Sequence, residues 1–242
     1  MNKVRFGVVG TNNITDWVIA GGRQDERFEL TAVCSRTQER ADEFAAKHGI
    51  PHTFTSLEEM AKTFQAEGIE TEIIHLGNKD IRGCISCGYC GKNAKCVFDD
   101  LVNEVAAKFE EADGLVIGSP VYYAMANGTL MSFVQRLFYS TKFSKQMKVG
   151  TSVVVARRGG LSSTYDEMNK FFGISGMPIA SGQYWNSVHG GAPGEVAQDA
   201  EGMQGMRTLA RNMAFLMKSI RLGKEKYGIP EREPAVWTNF IR

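Results

Sequence analysis

Runs rich in Val, Ile and Thr alternate along the chain with segments whose apolar residues recur at helical spacing. That alternation is the pattern of parallel βαβ units with helices covering both faces of a sheet. The strand-like runs are residues 4–10, 29–35, 52–55, 71–76, 114–121, 149–156 and 178–184, and the long ones are apolar on both faces, as buried parallel strands are. The predicted class is therefore α/β, a doubly wound, mainly parallel sheet. Helix starts are legible at the capping box Ser56-Leu57-Glu58-Glu59 and at Asp99-Asp100, which puts acidic groups ahead of Leu101–Glu111. Gly49 and Gly68 end the helical stretches 40–48 and 57–67. A last long helix, 201–222, carries Met203, Met206, Leu209, Met213, Leu216 and Ile220 at core spacing. The tail, 228–242, with two prolines and Trp237, is expected to wrap the surface or a partner subunit.

A length of 242 residues accommodates one large α/β domain or one and a half smaller ones. Lys plus Arg number 28 against 27 Asp plus Glu, with 4 His, so no net field exists to draw nucleic acid or an anionic membrane. A small-molecule partner is the expectation. No apolar run approaches the roughly eighteen residues of a membrane span, and Met1-Asn2-Lys3 leads straight into a short strand, so the expected location is cytoplasmic.

Of five cysteines, four are crowded into the pattern Cys84-x-x-Cys87-x-x-Cys90-x5-Cys96. In a cytoplasmic chain such crowding indicates metal or redox chemistry more than a disulfide framework. Three readings stay open: an iron-sulfur cluster of the 4Fe–4S kind, a zinc knot, or four cysteines without metal. Cys34, which ends a strand, reads as a core residue.

The strand Val4-Arg5-Phe6-Gly7-Val8-Val9-Gly10, the turn Thr11-Asn12-Asn13-Ile14-Thr15 and the second strand ending Val33-Cys34-Ser35-Arg36 resemble the start of the glucose-fructose oxidoreductase and inositol dehydrogenase family. The resemblance covers residues 3 to about 61 and implies a Rossmann segment for NADP. A strand turning through glycine into a helix start offers N–H groups to a pyrophosphate, and Ser35-Arg36 suits a 2′-phosphate. Asn12 stands where the fingerprint places its second glycine, and nothing matches that family's catalytic Glu-Lys-Pro segment, which argues against a sugar dehydrogenase.

From about residue 62 the chain resembles the flavodoxin-like NAD(P)H-dependent FMN reductases, including the iron-sulfur flavoproteins. The segments that carry this are 68–77, the cysteine cluster in all four positions, 112–123, Asn127-Gly128, Arg157-Arg158-Gly159-Gly160 and 183–190. The resemblance implies FMN, with Ser119, Pro120, Val121, Tyr122 and Tyr123 and the Arg157, Arg158, Gly159, Gly160 loop facing the flavin ring. It also implies an iron-sulfur cluster on the cysteines, and a homodimer sharing its flavin site. Trp185, Asn186 and His189 are expected at the rim of the same pocket, His189 as a hydrogen-bond partner more than as an acid, and no dedicated catalytic side chain is required because the flavin carries the hydride chemistry.

That family's opening strand and phosphate loop are missing, and the change of resemblance falls inside one helix, 56–67. Such a seam points to a recombinant or engineered chimera more than to a natural fusion or a divergent N-terminus. Two functional readings follow: an FMN-dependent oxidoreductase passing electrons between small-molecule donor and acceptor, or a folded chimera whose FMN binding and activity were lost with the loop. In a variant of the first, the strand ending at Gly10 fills the vacated slot and Thr11, Asn12, Asn13 and Thr15 face the FMN phosphate.

Overall fold

The computed structural model describes residues 4–9, 28–34, 46–47, 52–54, 56–77, 79–191, 195–238 and 240, with side chains at 46–47 and from Met60 onward. Strands β1 (Val4–Val9), β2 (Phe28–Cys34) and β3 (His52–Phe54) form a parallel three-stranded sheet of their own, in that order. The predicted Thr11, Asn12, Asn13 and Thr15 site, Ser35-Arg36 and most of the 40–48 helix lie outside the described residues.

The second sheet runs β5-β4-β6-β7, built from β4 (Gly114–Tyr122), β5 (Met125–Ala126), β6 (Val149–Ala156) and β7 (Ser187–His189). Strand β6 is parallel to β4 and to β7, and only the short β5 runs antiparallel, against Val121 and Tyr122. With neighbours on both sides, β6 is buried along almost its whole length, which is why its sequence Val-Gly-Thr-Ser-Val-Val-Val-Ala does not alternate. Its two hydroxyls are paired: Thr151 Oγ1 donates to the Ala180 carbonyl at 2.8 Å and Ser152 Oγ bonds Asn169 Oδ1 at 2.9 Å.

Helices cover both faces. On one side α3 (Leu101–Glu111), α4 (Gly128–Ser140) and α5 (Leu161–Ile174) bury Val102, Phe109, Phe133, Leu137, Met168 and Phe172. On the other, α1 (Ser56–Ala66) and α6 (Ala200–Tyr227) bury Met60, Phe64, Met206, Leu209 and Met213. The methionine stripe is core, as its spacing predicts, and α6 extends beyond the expected end. The seam helix α1 thus packs into the core of the second sheet. Asp100 caps α3 by accepting from the Val102 N–H at 3.1 Å, and Gly68 follows α1 at φ 73°, as the capping signals indicate. The tail crosses the surface, where Gln146 donates to the Pro230 carbonyl and Trp237 is exposed.

Two expected strands are corrected. Residues 71–76 form no strand. In the flavodoxin order 2-1-3-4-5 that run would pair with the first strand, and β1 is paired with β2 instead of entering this sheet. A ladder needs a neighbour, so Ile73 and Ile74 stay partly exposed and Glu72 is held by an ion pair to Lys108. Among the described residues the edge of β4 from Gly114 to Pro120 is likewise unpaired. The run 178–184 makes one isolated bridge, Ile179 to Gly150, and the edge strand forms later, at β7.

Candidate functional site

The carboxyl ends of β4 and β6 lie side by side, Ser119 opposite Val154 and Pro120 opposite Val155. This register brings the two sequence-predicted loops together: a Cβ on Gly160 would stand 2.9 Å from Val121 Cγ1 and 3.7 Å from the Ala124 carbonyl oxygen. Gly160 also holds φ 85°, so both space and backbone exclude a side chain there. Ser119 Oγ accepts from the Asn127 N–H at 2.9 Å, and Asn127 Oδ1 accepts from the Leu130 N–H, so the end of β4 is tied to the start of α4. Between β4 and β5 the turn places Tyr123 at φ 44° and Ala124 at φ 84°, each costing on the order of 1 kcal/mol or more for a residue with a Cβ. The turn leaves the Tyr123 side chain fully exposed and Tyr122 largely so.

Gly160 caps α5 without any side-chain hydrogen bond, Gly159 has open space around it, and Arg157 and Arg158 are exposed beside them. Free N–H groups at a helix start, two cations and exposed aromatic faces are the groups that a flavin ring and its polar edge require. By this test the residues present fit a flavin.

The third expected segment is only partly at the rim. Trp185 is exposed and packs on Tyr184 at 4.9 Å between centroids, but Asn186 is buried. Its side chain donates to Thr151 Oγ1 and to the Ser152 carbonyl and accepts from the Gly182 N–H, so it staples the loop to β6 and cannot contact a ligand. The His189 N–H donates to Asp199 Oδ2 at 2.7 Å, and the imidazole Nδ1 lies 3.5 Å from the same oxygen. Asp199 also caps α6 by accepting from the Gly202 N–H. Burial pushes its carboxyl upward, but the Gly202 and His189 N–H groups and the His189 charge outweigh that and hold it below the usual carboxylate range. A depressed carboxyl stabilises the fold above its unfolded value, about 3.9, and the stabilisation is lost as pH falls through the lower folded value. Asp199→Ala is therefore expected to cost about 1 kcal/mol near neutrality, with the difference from wild type shrinking as pH falls below about 3.9 and through the lower folded value. Urea titrations at several pH values check this, and a pH-independent difference would contradict the assignment.

The four cysteines are free thiols that line one pocket together with Ile85, Val97, Phe98, Arg136, Tyr139 and Ser140. Left-handed residues Ser86, Gly88 and Ala94 fold the loop, and the Ser86 N–H points to Cys84 Sγ at 3.4 Å. Helix α2 (Tyr89–Asn93) carries Cys90. Asn103 clamps the other end, accepting from the Cys96 N–H at 2.9 Å and donating to the carbonyls of Cys96 and Phe98. Among the described residues no three His, Cys, Asp or Glu side chains already converge as a metal shell. The donor chemistry nonetheless fits a thiolate-bound cluster, and Ser140 Oγ lines the same pocket buried and without a hydrogen-bond partner.

Sequence reading missed Arg136, Asp100 and Asn103 as parts of this site. Arg136 is almost wholly buried and forks onto Asp100 with bonds of 2.7 and 2.9 Å. Burial works against its charge, but its hydrogen bonds to Asp100 and Cys96 and the Asp100 charge prevail and keep it above the ordinary arginine range. The signal was present: Arg136 is the one charged residue in α4, set among Phe133, Val134 and Leu137.

Residues 50–191 match the family model of the NADPH-dependent FMN reductases, and residues 4–79 match an oxidoreductase family with an NAD-binding Rossmann fold. The two matches overlap across the seam helix. An iron-sulfur flavoprotein of Methanocaldococcus jannaschii is 33% identical over 178 residues, covering 70% of this chain and 92% of its own. One from Methanosarcina thermophila is 29% identical over 164 residues, covering 66% and 84%. At the N-terminal end, scyllo-inositol 2-dehydrogenase (NADP(+)) of Bacillus subtilis is 53% identical over 58 residues, which are 24% of this chain and 18% of that enzyme. The fold is shared with a solved flavone reductase, at a TM-score of 0.51 and 18% identity over 69% of this chain and 58% of that one. It is shared too with RosB carrying 8-demethyl-8-formylriboflavin-5′-phosphate, at 0.50 and 14% over 78% and 86%. No helix among the described residues is long and apolar enough to cross a membrane.

Proposed function

Because the chain belongs to the NADPH-dependent FMN reductase family, we propose that it is an FMN-dependent oxidoreductase taking electrons from NAD(P)H or another small donor. The observation that carries this is the convergence of the 119–123 and 157–160 loops at the carboxyl end of the sheet, where open α/β folds bind ligands. Bound FMN supplies the hydride and one-electron chemistry. The chain's part is to bind and orient it. Pro120, Tyr122 and Tyr123 offer apolar and π surface, Gly159 and Gly160 let the backbone approach closely, and Arg157 and Arg158 add positive potential for the ring's polar edge. No side chain is assigned as a catalytic acid or base. The reading includes a homodimer that covers the exposed Tyr123, and an iron-sulfur cluster held by Cys84, Cys87, Cys90 and Cys96, which when bound supplies single-electron transfer.

Titration of FMN with purified protein tests the reading: the flavin's fluorescence is expected to be quenched on binding. A valine at Gly160 would strain the φ 85° backbone and strike Val121, so Gly160→Val is expected to weaken FMN binding at least about tenfold, a loss of about 1.4 kcal/mol. A wild-type protein that is colourless and leaves FMN fluorescence unchanged would overturn the proposal.

A further inference from the structure

Arg136 spends its hydrogen bonds in an unusual way. All five guanidinium N–H groups are used: Nη1 donates to the Arg82 carbonyl at 3.2 Å and to Asp100 Oδ2 at 2.7 Å, and Nη2 to Asp100 Oδ1 at 2.9 Å. The remaining N–H of Nη2 and that of Nε both point at Cys96 Sγ, each at 3.2 Å. The guanidinium also lies 4.9 Å over the Phe98 ring. A purely structural arginine joining α3 to α4 would be served by Asp100 and the Arg82 carbonyl. Thiol sulfur is a weak acceptor, and two donors of a buried cation are better matched by a sulfur that carries the negative charge of a metal ligand. Asn103 holds the Cys96 backbone from the other side, so the sulfur is fixed before any metal arrives.

We propose that Arg136 is a positioning residue that fixes the Cys96 sulfur through this paired N–H fork and sets the reduction equilibrium of a cluster held by the four cysteines. The inference rests on the iron-sulfur reading of those cysteines. N–H bonds to ligand sulfur stabilise the more electron-rich state of a cluster, so the fork makes it easier to reduce. Lysine in place of Arg136 keeps the charge but loses the fork. Asparagine in place of Asp100 keeps the α3 cap and leaves the cation on Cys96 unneutralised, which acts in the opposite direction.

The test is a potentiometric titration of the anaerobically reconstituted full chain, followed by absorbance and electron paramagnetic resonance, with iron and sulfide measured alongside. Arg136→Lys is expected to shift cluster reduction at least about tenfold toward the oxidised form, about 59 mV for one electron, with the flavin couple unmoved. Asp100→Asn is expected to shift it the other way. Loss of iron from Arg136→Lys with wild-type circular dichroism and FMN quenching also supports the positioning role. If Arg136→Lys does not fold, the direction of the Asp100→Asn shift decides. Variants with full iron and the wild-type potential overturn the proposal. A wild type that takes up no iron and sulfide is a separate result: it removes the cluster reading itself, and this inference with it.

Discussion

Arg136→Ala is expected to destabilise the fold by about 3–5 kcal/mol, nearer the lower figure because the Asp100 side chain keeps 29% of its surface in water. Removing the guanidinium leaves Asp100 without its counter-charge, orphans the Arg82 carbonyl and takes the cation off Phe98. It also opens a void beside Phe98 in the cysteine pocket. Equilibrium urea unfolding measures the loss. The double variant Arg136→Ala, Asp100→Ala should recover part of it, since the penalty is largely that of one charge stranded by the other. Strict additivity of the two single variants would show that the pair is not coupled.

The second large effect is at the centre of the sheet. Gly150 lies directly beneath Phe172, and a Cβ there would sit 2.3 Å from the ring. Phe172 is completely buried between β6 and the other core aromatics, with Phe138 6.0 Å away, so the ring has no free direction in which to retreat. Gly150→Val is therefore expected to cost about 3 kcal/mol, at the top of the range for overpacking, and to lower the melting temperature by roughly 6–12 °C in a chain of this size. Combining it with Phe172→Leu, which vacates the contested volume, should restore part of the loss. If the two substitutions simply add, the close contact does not control the site.

Both residues bear on what could be read beforehand. Strand β6 was legible because an uninterrupted apolar run follows from burial on both faces, whereas β4, with as apolar a run, alternates between buried and exposed from Ile117 to Pro120; the α3 start was legible because capping chemistry is local. The convergence of the 119–123 and 157–160 loops at the carboxyl ends of β4 and β6 was legible as well, from where open α/β sheets place their ligand crevice. Residues 71–76 looked equally strand-like, yet pairing depends on a neighbour, and no local pattern reports whether that neighbour is there. Asn186 looked like a rim residue because it follows an apolar run; its three hydrogen bonds to Thr151, Ser152 and Gly182 depend on tertiary structure. Arg136 was hidden for the same reason: its partners Asp100 and Cys96 lie 36 and 40 positions away in sequence.

The unpaired edge of β4 has a consequence for how this chain behaves in company. Gly114 to Pro120 presents a row of backbone N–H and C=O groups with no strand beside it among the described residues. Natural sheets blunt such edges with charge, bulges or proline, and here only Pro120 at the far end does so. Among the described residues that edge is open to a further strand, and pairing across it is the expected route by which a second chain would associate.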